Sequence, residues 1–178
     1  MVLKTPKTGD IRPTQDRVRE AVFNIVRNEI AGCAFLDLFA GSGAVGLEAL
    51  SRGAASATFV ERDRRHLAVL RENVASAEVR GVPAAACAVV CADVYRYIAS
   101  YSGTGFTVAF ADPPYAIGEE RGFADTLHAV AERGVVRPGG LFIAEAPSSL
   151  DASAVTGWEL VRDRTYGRTR LCIWQRTC

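Results

Sequence analysis

The sequence contains no long apolar run. Its longest nearly apolar stretch, Val82 to Ala92, falls short of the roughly 20 residues a membrane helix needs. The opening Met1-Val-Leu-Lys-Thr-Pro-Lys has no apolar core of a secretory signal, so a cytoplasmic location is expected. There is no Cys-x-x-Cys and no mixed Cys/His ligand set, which excludes the common structural zinc sites, and no metal is expected. The five cysteines (Cys33, Cys87, Cys91, Cys172, Cys178) are odd in number and scattered, and read as buried, reduced thiols. Cys87 and Cys91 would lie about 13 Å apart along a strand, too far to share a bond or an ion. The two histidines, His66 and His128, fall in helical stretches away from any motif and are expected to be structural. Repeats, linkers and low-complexity segments are also missing.

What remains is an ordinary globular composition, 178 residues with 49% hydrophobic and 23% charged, suited to one domain. The formal charge of +1 conceals an uneven distribution. Residues 1–28 hold six cations against three acids, and residues 162–176 hold five arginines against Asp163. Two basic ends around a more acidic middle are compatible with a phosphate-bearing partner, although solvated surface arginines would look the same.

Periodicity predicts an opening helix from Pro13, with Thr14 as its N-cap and Val18, Val22 and Ile25 on one face. Strands and helices then alternate. Strands are expected at Ala34 to Phe39, Ala57 to Val60, Ala88 to Ala92, Phe106 to Ala111 and Leu141 to Ala146. Helices are expected after the glycine turn through Leu50, after an Asp63 cap, and at Phe123 to Glu132. Trp158 to Arg164 and Arg170 to Gln175, around Tyr166-Gly167, read as a hairpin. Such alternation implies an α/β fold, a mostly parallel sheet with helices on both faces. Ligands of such sheets bind outside the carboxyl ends of the strands, where each candidate below falls.

After the first strand comes Asp37-Leu-Phe-Ala40-Gly41-Ser42-Gly43-Ala-Val-Gly46. Glycines let the backbone turn tightly and approach a ligand. Glu61, twenty residues past Gly41, could bond a ribose diol, a spacing that fits a dinucleotide as well as S-adenosylmethionine. Asp37 favours the latter, since it could meet a methionine ammonium but would repel a pyrophosphate. Asp93, after the third strand, could accept from an adenine amino group. Each acid alone could instead be a cap or a solvated loop residue. Ser42 is not an esterase nucleophile, because Gly-x-Ser-x-Gly is not matched.

The fourth strand ends in Asp112-Pro113-Pro114-Tyr115. The amino nitrogen of a nucleobase is a poor nucleophile because its lone pair is delocalised into the ring. Acceptors at Asp112 and the Pro113 carbonyl could take its two N–H bonds and leave the lone pair aimed at an incoming methyl. The prolines stiffen the turn, and Tyr115 could stack on the base. With no cysteine beside the turn, covalent attack on a pyrimidine carbon is unsupported.

With Asp-Leu-Phe-Ala-Gly-Ser-Gly at 37–43 and Asp-Pro-Pro-Tyr at 112–115, the chain resembles the amino-methylating class of Rossmann-like (class I) methyltransferases, whose sheet has seven strands. More narrowly it resembles the RsmD family, which methylates N2 of one guanine in small-subunit (16S) ribosomal RNA. Arg12-Pro-Thr-Gln-Asp-Arg-Val-Arg-Glu-Ala-Val-Phe-Asn24, Gly43 to Gly53 and Tyr166 to Leu171 carry that resemblance. It implies that S-adenosylmethionine is held by Asp37, Ala40, Gly41, Ser42, Gly43, Glu61, Arg62, Asp93 and Val94. It implies that Asp112, Pro113, Pro114 and Tyr115 position the amino group, with Thr14 and Arg17 near the methionine end or the RNA entrance. The partner would be ribosomal RNA or the small subunit, and a monomer is expected. Family members begin with a basic, glycine-rich hairpin; here eleven residues with Lys4 and Lys7 precede Arg12, expected to be a shortened RNA-binding extension. The alternatives are an adenine-N6 methyltransferase, which uses the same four residues, and a nucleotide-binding module without catalysis.

Overall fold

The computed structural model describes Lys4 and residues 13–113, 123–146, 151–153, 155–167 and 169–177, with only the backbone of 13–17, 123 and 124. Seven strands form one sheet in the order β3-β2-β1-β4-β5-β7-β6. They are β1 (Ala34–Leu38), β2 (Ser56–Glu61), β3 (Cys87–Cys91), β4 (Phe106–Ala111), β5 (Val136–Ala146), β6 (Trp158–Tyr166) and β7 (Thr169–Arg176). The first five are mutually parallel, while β7 runs antiparallel to β5 and to β6. The expected mixed sheet with a closing hairpin is therefore observed. The strand order reverses between β1 and β4, the place where such sheets open a crevice.

Two apolar cores, one on each face, follow from the two-residue period of the strands. Phe35, Phe59, Val108, Phe110 and Ile143 face α1 (Pro13–Ile25), α2 (Arg27–Ile30), α3 (Ala44–Ser51) and α4 (Arg64–Val79). Leu36, Leu38, Ala109, Ala111, Phe142 and Ala144 face α5 (Val94–Ala99) and α6 (Phe123–Glu132). On the second face Trp158 and Trp174 bury their rings and donate their indole N–H groups to the Leu127 and Ala152 carbonyls at 2.9 and 2.8 Å. Those bonds remove the cost of burying a polar atom with each large ring.

Several expectations shift. Helix α1 begins at Pro13, so Thr14 falls within the first turn rather than at the cap; proline suits a first helical position because its missing N–H would be unpaired there anyway. Strand β1 stops at Leu38, because Phe39 takes a left-handed φ of 61°. Strand β5 starts five residues early, at Val136, and its register against β4 jumps between Phe106↔Val136 and Val108↔Leu141. Arg137-Pro-Gly-Gly140 bulges out there, with Gly139 at φ 73°. The cysteines are not uniformly buried. Cys33 and Cys172 are, but Cys87 is half-buried and Cys91 exposed, because β3 is a sheet edge.

Candidate functional site

A solvent-open cavity of about 210 Å³ lies at the carboxyl ends of β1, β4 and β5. The β1 end and the following turn contribute Asp37, Phe39, Ala40, Gly41 and Ser42; Asp112 follows β4 and Glu145 belongs to β5. Helix α1 closes one side with Val18, Arg19 and Val22. The glycine turn and Asp112, 71 residues apart from Gly41 to Asp112, thus share one space.

Asp37 is 2% exposed. One of its oxygens accepts the Gly46 N–H at 2.8 Å, in the first turn of α3, where unpaired donors and the helix dipole favour an anion. Burial nevertheless pushes its pKa up to about 8, partly offset by the Gly46 bond and reinforced by the Asp112 and Glu61 carboxylates. Asp112 is half-buried and also raised, by burial. Glu145 is pushed up to about 7 by burial and then by Asp112, with a Thr169 side-chain hydrogen bond acting against the rise. A cavity whose acids repel one another is matched to a cation, which would relieve the repulsion.

The three glycines of the turn have different physical reasons. Gly43 has φ 80°, and a Cβ on it would lie 2.3 Å from a methyl of Leu70. A Cβ on Gly46 would lie 2.3 Å from the Phe59 ring. Both are demanded by helix packing. Gly41, at φ 55°, has nothing nearer than the Phe39 carbonyl at 4.0 Å, so its open side faces the cavity. The expectation of ligand approach therefore narrows to Gly41.

Glu61, 8% exposed, ties the turn to β2. One oxygen accepts the Arg62 and Asp63 N–H groups at 2.8 and 2.7 Å, and the other accepts Gly41 N–H at 2.9 Å. A carboxylate has further lone pairs with which to meet a ligand. His66 Nδ1 lies 3.8 Å from Glu61; this corrects the placing of His66 far from any motif, since α4 folds its first turn back over the β2 end. Asp93 caps α5, one oxygen accepting the Tyr95 and Arg96 N–H groups at 3.1 and 3.2 Å while the other meets Arg62 at 3.4 Å. Val94 buries its side chain in the second core. Asn73, 2% exposed, donates to the carbonyls of Ser42 and Lys4, each at 2.9 Å, and so clamps the turn from behind.

Pro113 is half-buried beside Asp112. Pro114, Tyr115 and the side chains of Thr14 and Arg17 lie outside the described residues. The α1 wall and Glu145 were missed in the sequence. Glu145 carried the same signal as Asp37, an acid closing an otherwise apolar strand, but no motif drew notice to it. The basic carboxyl-terminal cluster is partly spent within the fold. Arg170 pairs with Asp163 at 3.0 and 2.7 Å and Arg176 donates to the Val136 carbonyl, leaving Arg162 and Arg164 exposed on the edge strand β6.

The family model described as Conserved hypothetical protein 95 matches residues 1–175. The chain is 34% identical over 175 residues to Ribosomal RNA small subunit methyltransferase D of Escherichia coli K12, spanning 98% of this chain and 84% of that one. The chain belongs to this methyltransferase family. Among solved structures, the yhhF protein of Escherichia coli superposes with a TM-score of 0.82 at 32% identity, covering 99% of this chain and 92% of that one. The fold extends to an RNA methyltransferase of Salinibacter ruber in complex with S-adenosyl-L-homocysteine, at 15% identity and a TM-score of 0.68, covering 98% and 94%.

Proposed function

We propose that the chain transfers a methyl group from S-adenosylmethionine to the exocyclic N2 amino group of a guanine in small-subunit ribosomal RNA. One observation carries the reading: Asp112, which opens Asp-Pro-Pro-Tyr, lines the same cavity as Asp37 and the Gly41 turn. The name of the Escherichia coli relative supports small-subunit ribosomal RNA as the substrate. The acid-rich wall supports the donor, whose sulfonium and ammonium are both positive.

The donor, when bound, supplies a methyl group on an electron-poor sulfur. Asp37 faces the ammonium and Gly41 allows close approach, with Ala40, Ser42 and Gly43 framing the turn. Glu61 and Arg62 at the β2 end serve the ribose, and Asp93 and Val94 the adenine. Asp112 accepts one N–H of the base and the Pro113 carbonyl the other, so that the nitrogen lone pair points at the carbon within ~3–3.5 Å. Tyr115 stacks on a base that has left its helix, and Pro114 holds the turn. Thr14 and Arg17 serve the RNA entrance as part of a basic segment over residues 1–28 that extends the RNA grip. The protein acts as a monomer in the cytoplasm.

Labelled S-adenosylmethionine offered with small-subunit RNA, the assembled particle and duplex DNA tests the reading. Label is expected in guanine of the RNA and not in the DNA. Asp112→Ala is expected to abolish transfer while donor binding, followed by calorimetry, survives. A fully active Asp112→Ala enzyme would overturn the mechanism, and label in DNA adenine would overturn the acceptor.

A further inference from the structure

We propose that Glu145 reads the acceptor base, its ionised carboxylate accepting the ring N1–H of guanine next to the amino group held by Asp112, and thereby sets the preference for guanine. The inference deepens the guanine-N2 reading and rests on it.

Asp112 and Glu145 stand level at the ends of adjacent strands, and Asp37 lies two residues lower on β1, in register with Phe110. Asp37 follows Phe35, Asp112 follows Phe110 and Glu145 follows Ile143, all on the face that carries α1. The pairing Ala111↔Ala144 places Asp112 and Glu145 side by side just beyond it. The order β1-β4-β5 then separates two sides of the cavity. Asp37 and the glycine turn lie on one side of Asp112, and Glu145 lies on the other. A base whose amino group sits at Asp112, with the donor on the Asp37 side, presents its neighbouring atoms to Glu145.

The chemistry selects the base. Guanine shows two N–H donors in a row, at N1 and N2, pointing nearly the same way. Carboxylates on adjacent strands, about 4.8 Å apart, can each take one of them, while the Pro113 carbonyl takes the outer N2–H. An ionised carboxylate only accepts. A purine with an amino group beside a bare ring nitrogen would set a lone pair against it, and a site built for a hydrogen bond rejects the analogue that lacks it. Thr169 on β7, 9% exposed, lies close enough to Glu145 to favour its ionised form.

The test uses RNA fragments carrying guanine or 2-aminopurine at the methylated position. 2-Aminopurine keeps the amino group and has no N1–H. The wild-type enzyme is expected to prefer guanine in kcat/KM by about 10- to 100-fold, the range of a hydrogen bond to a charged group. Glu145→Gln can turn an amide N–H to the bare nitrogen and is expected to narrow that preference about tenfold or more, with S-adenosylmethionine affinity unchanged. Glu145→Asp is expected to retain the preference. Thr169→Val, which leaves the carboxylate but removes the neighbouring hydroxyl, is expected to relax the preference, and serves as the deciding variant if Glu145→Gln does not fold. An unchanged preference in Glu145→Gln, or lost donor binding with the preference intact, overturns the role of Glu145 while guanine methylation stands. A wild-type enzyme that methylates neither RNA overturns the guanine-N2 reading, and this role with it.

Discussion

The buried Asp37 carboxylate and the Gly46 backbone N–H meet at 2.8 Å, joining the end of β1 to the first turn of α3 across the glycine loop. The bond positions an acid in the cavity wall, in surroundings that resist its ionisation.

That resistance makes stability depend on pH. With a pKa of about 8 in the folded state against 3.8 ordinarily, Asp37 binds its proton more tightly when folded. Its contribution to stability is therefore complete below about pH 4 and is lost as pH rises through about 8. Urea titrations of ligand-free protein should show a falling trend across that window, and Asp37→Asn should flatten it. Donor affinity should run the other way, rising with pH as the carboxylate ionises. Proton release on binding, read by calorimetry in buffers of different ionisation enthalpy, should disappear in the variant.

Gly46 lacks a side chain for reasons of packing. A methyl there would sit 2.3 Å from the fully buried Phe59 ring, and overpacking of this kind costs about 1–3 kcal/mol. Gly46→Ala should lower stability by that amount in denaturant. Adding Phe59→Leu should recover part of the loss; strictly additive losses would refute the clash.

Asp93 caps α5 and is also assigned to the adenine. Asp93→Ala should cost roughly 1 kcal/mol through the lost cap. Asp93→Asn keeps a capping oxygen and should restore most of that stability. If donor affinity recovers just as fully in the asparagine variant, the charge has no role in binding.

Asn73 stands behind the loop rather than in the cavity. Its side chain bonds the carbonyls of Ser42 and Lys4 and the Lys4 N–H. Asn73→Ala should cost about 1–3 kcal/mol for buried groups left unpaired, and should raise KM for the donor by loosening the turn. An unaltered KM would show that the clamp serves folding alone.

The sequence by itself determined the alternation of strands and helices, the two faces of the sheet, the glycine turn and the Asp-Pro-Pro-Tyr corner. Each is a local pattern: a period of two or 3.6 residues, or a short motif that ends a strand. Even there, Thr14 was misplaced by two residues and Phe39 by one, since element ends depend on dihedral angles that composition only biases. What the tertiary structure decided is everything that depends on strand order. Placing β4 beside β1 and β5 beside β4 brought Asp37, Asp112 and Glu145 around one cavity, although no motif links them. Folding α4 and α3 onto β2 assigned Gly43 and Gly46 to packing and moved His66 next to Glu61. Convergence of side chains from distant segments is a property of the assembled sheet, and no local period encodes it.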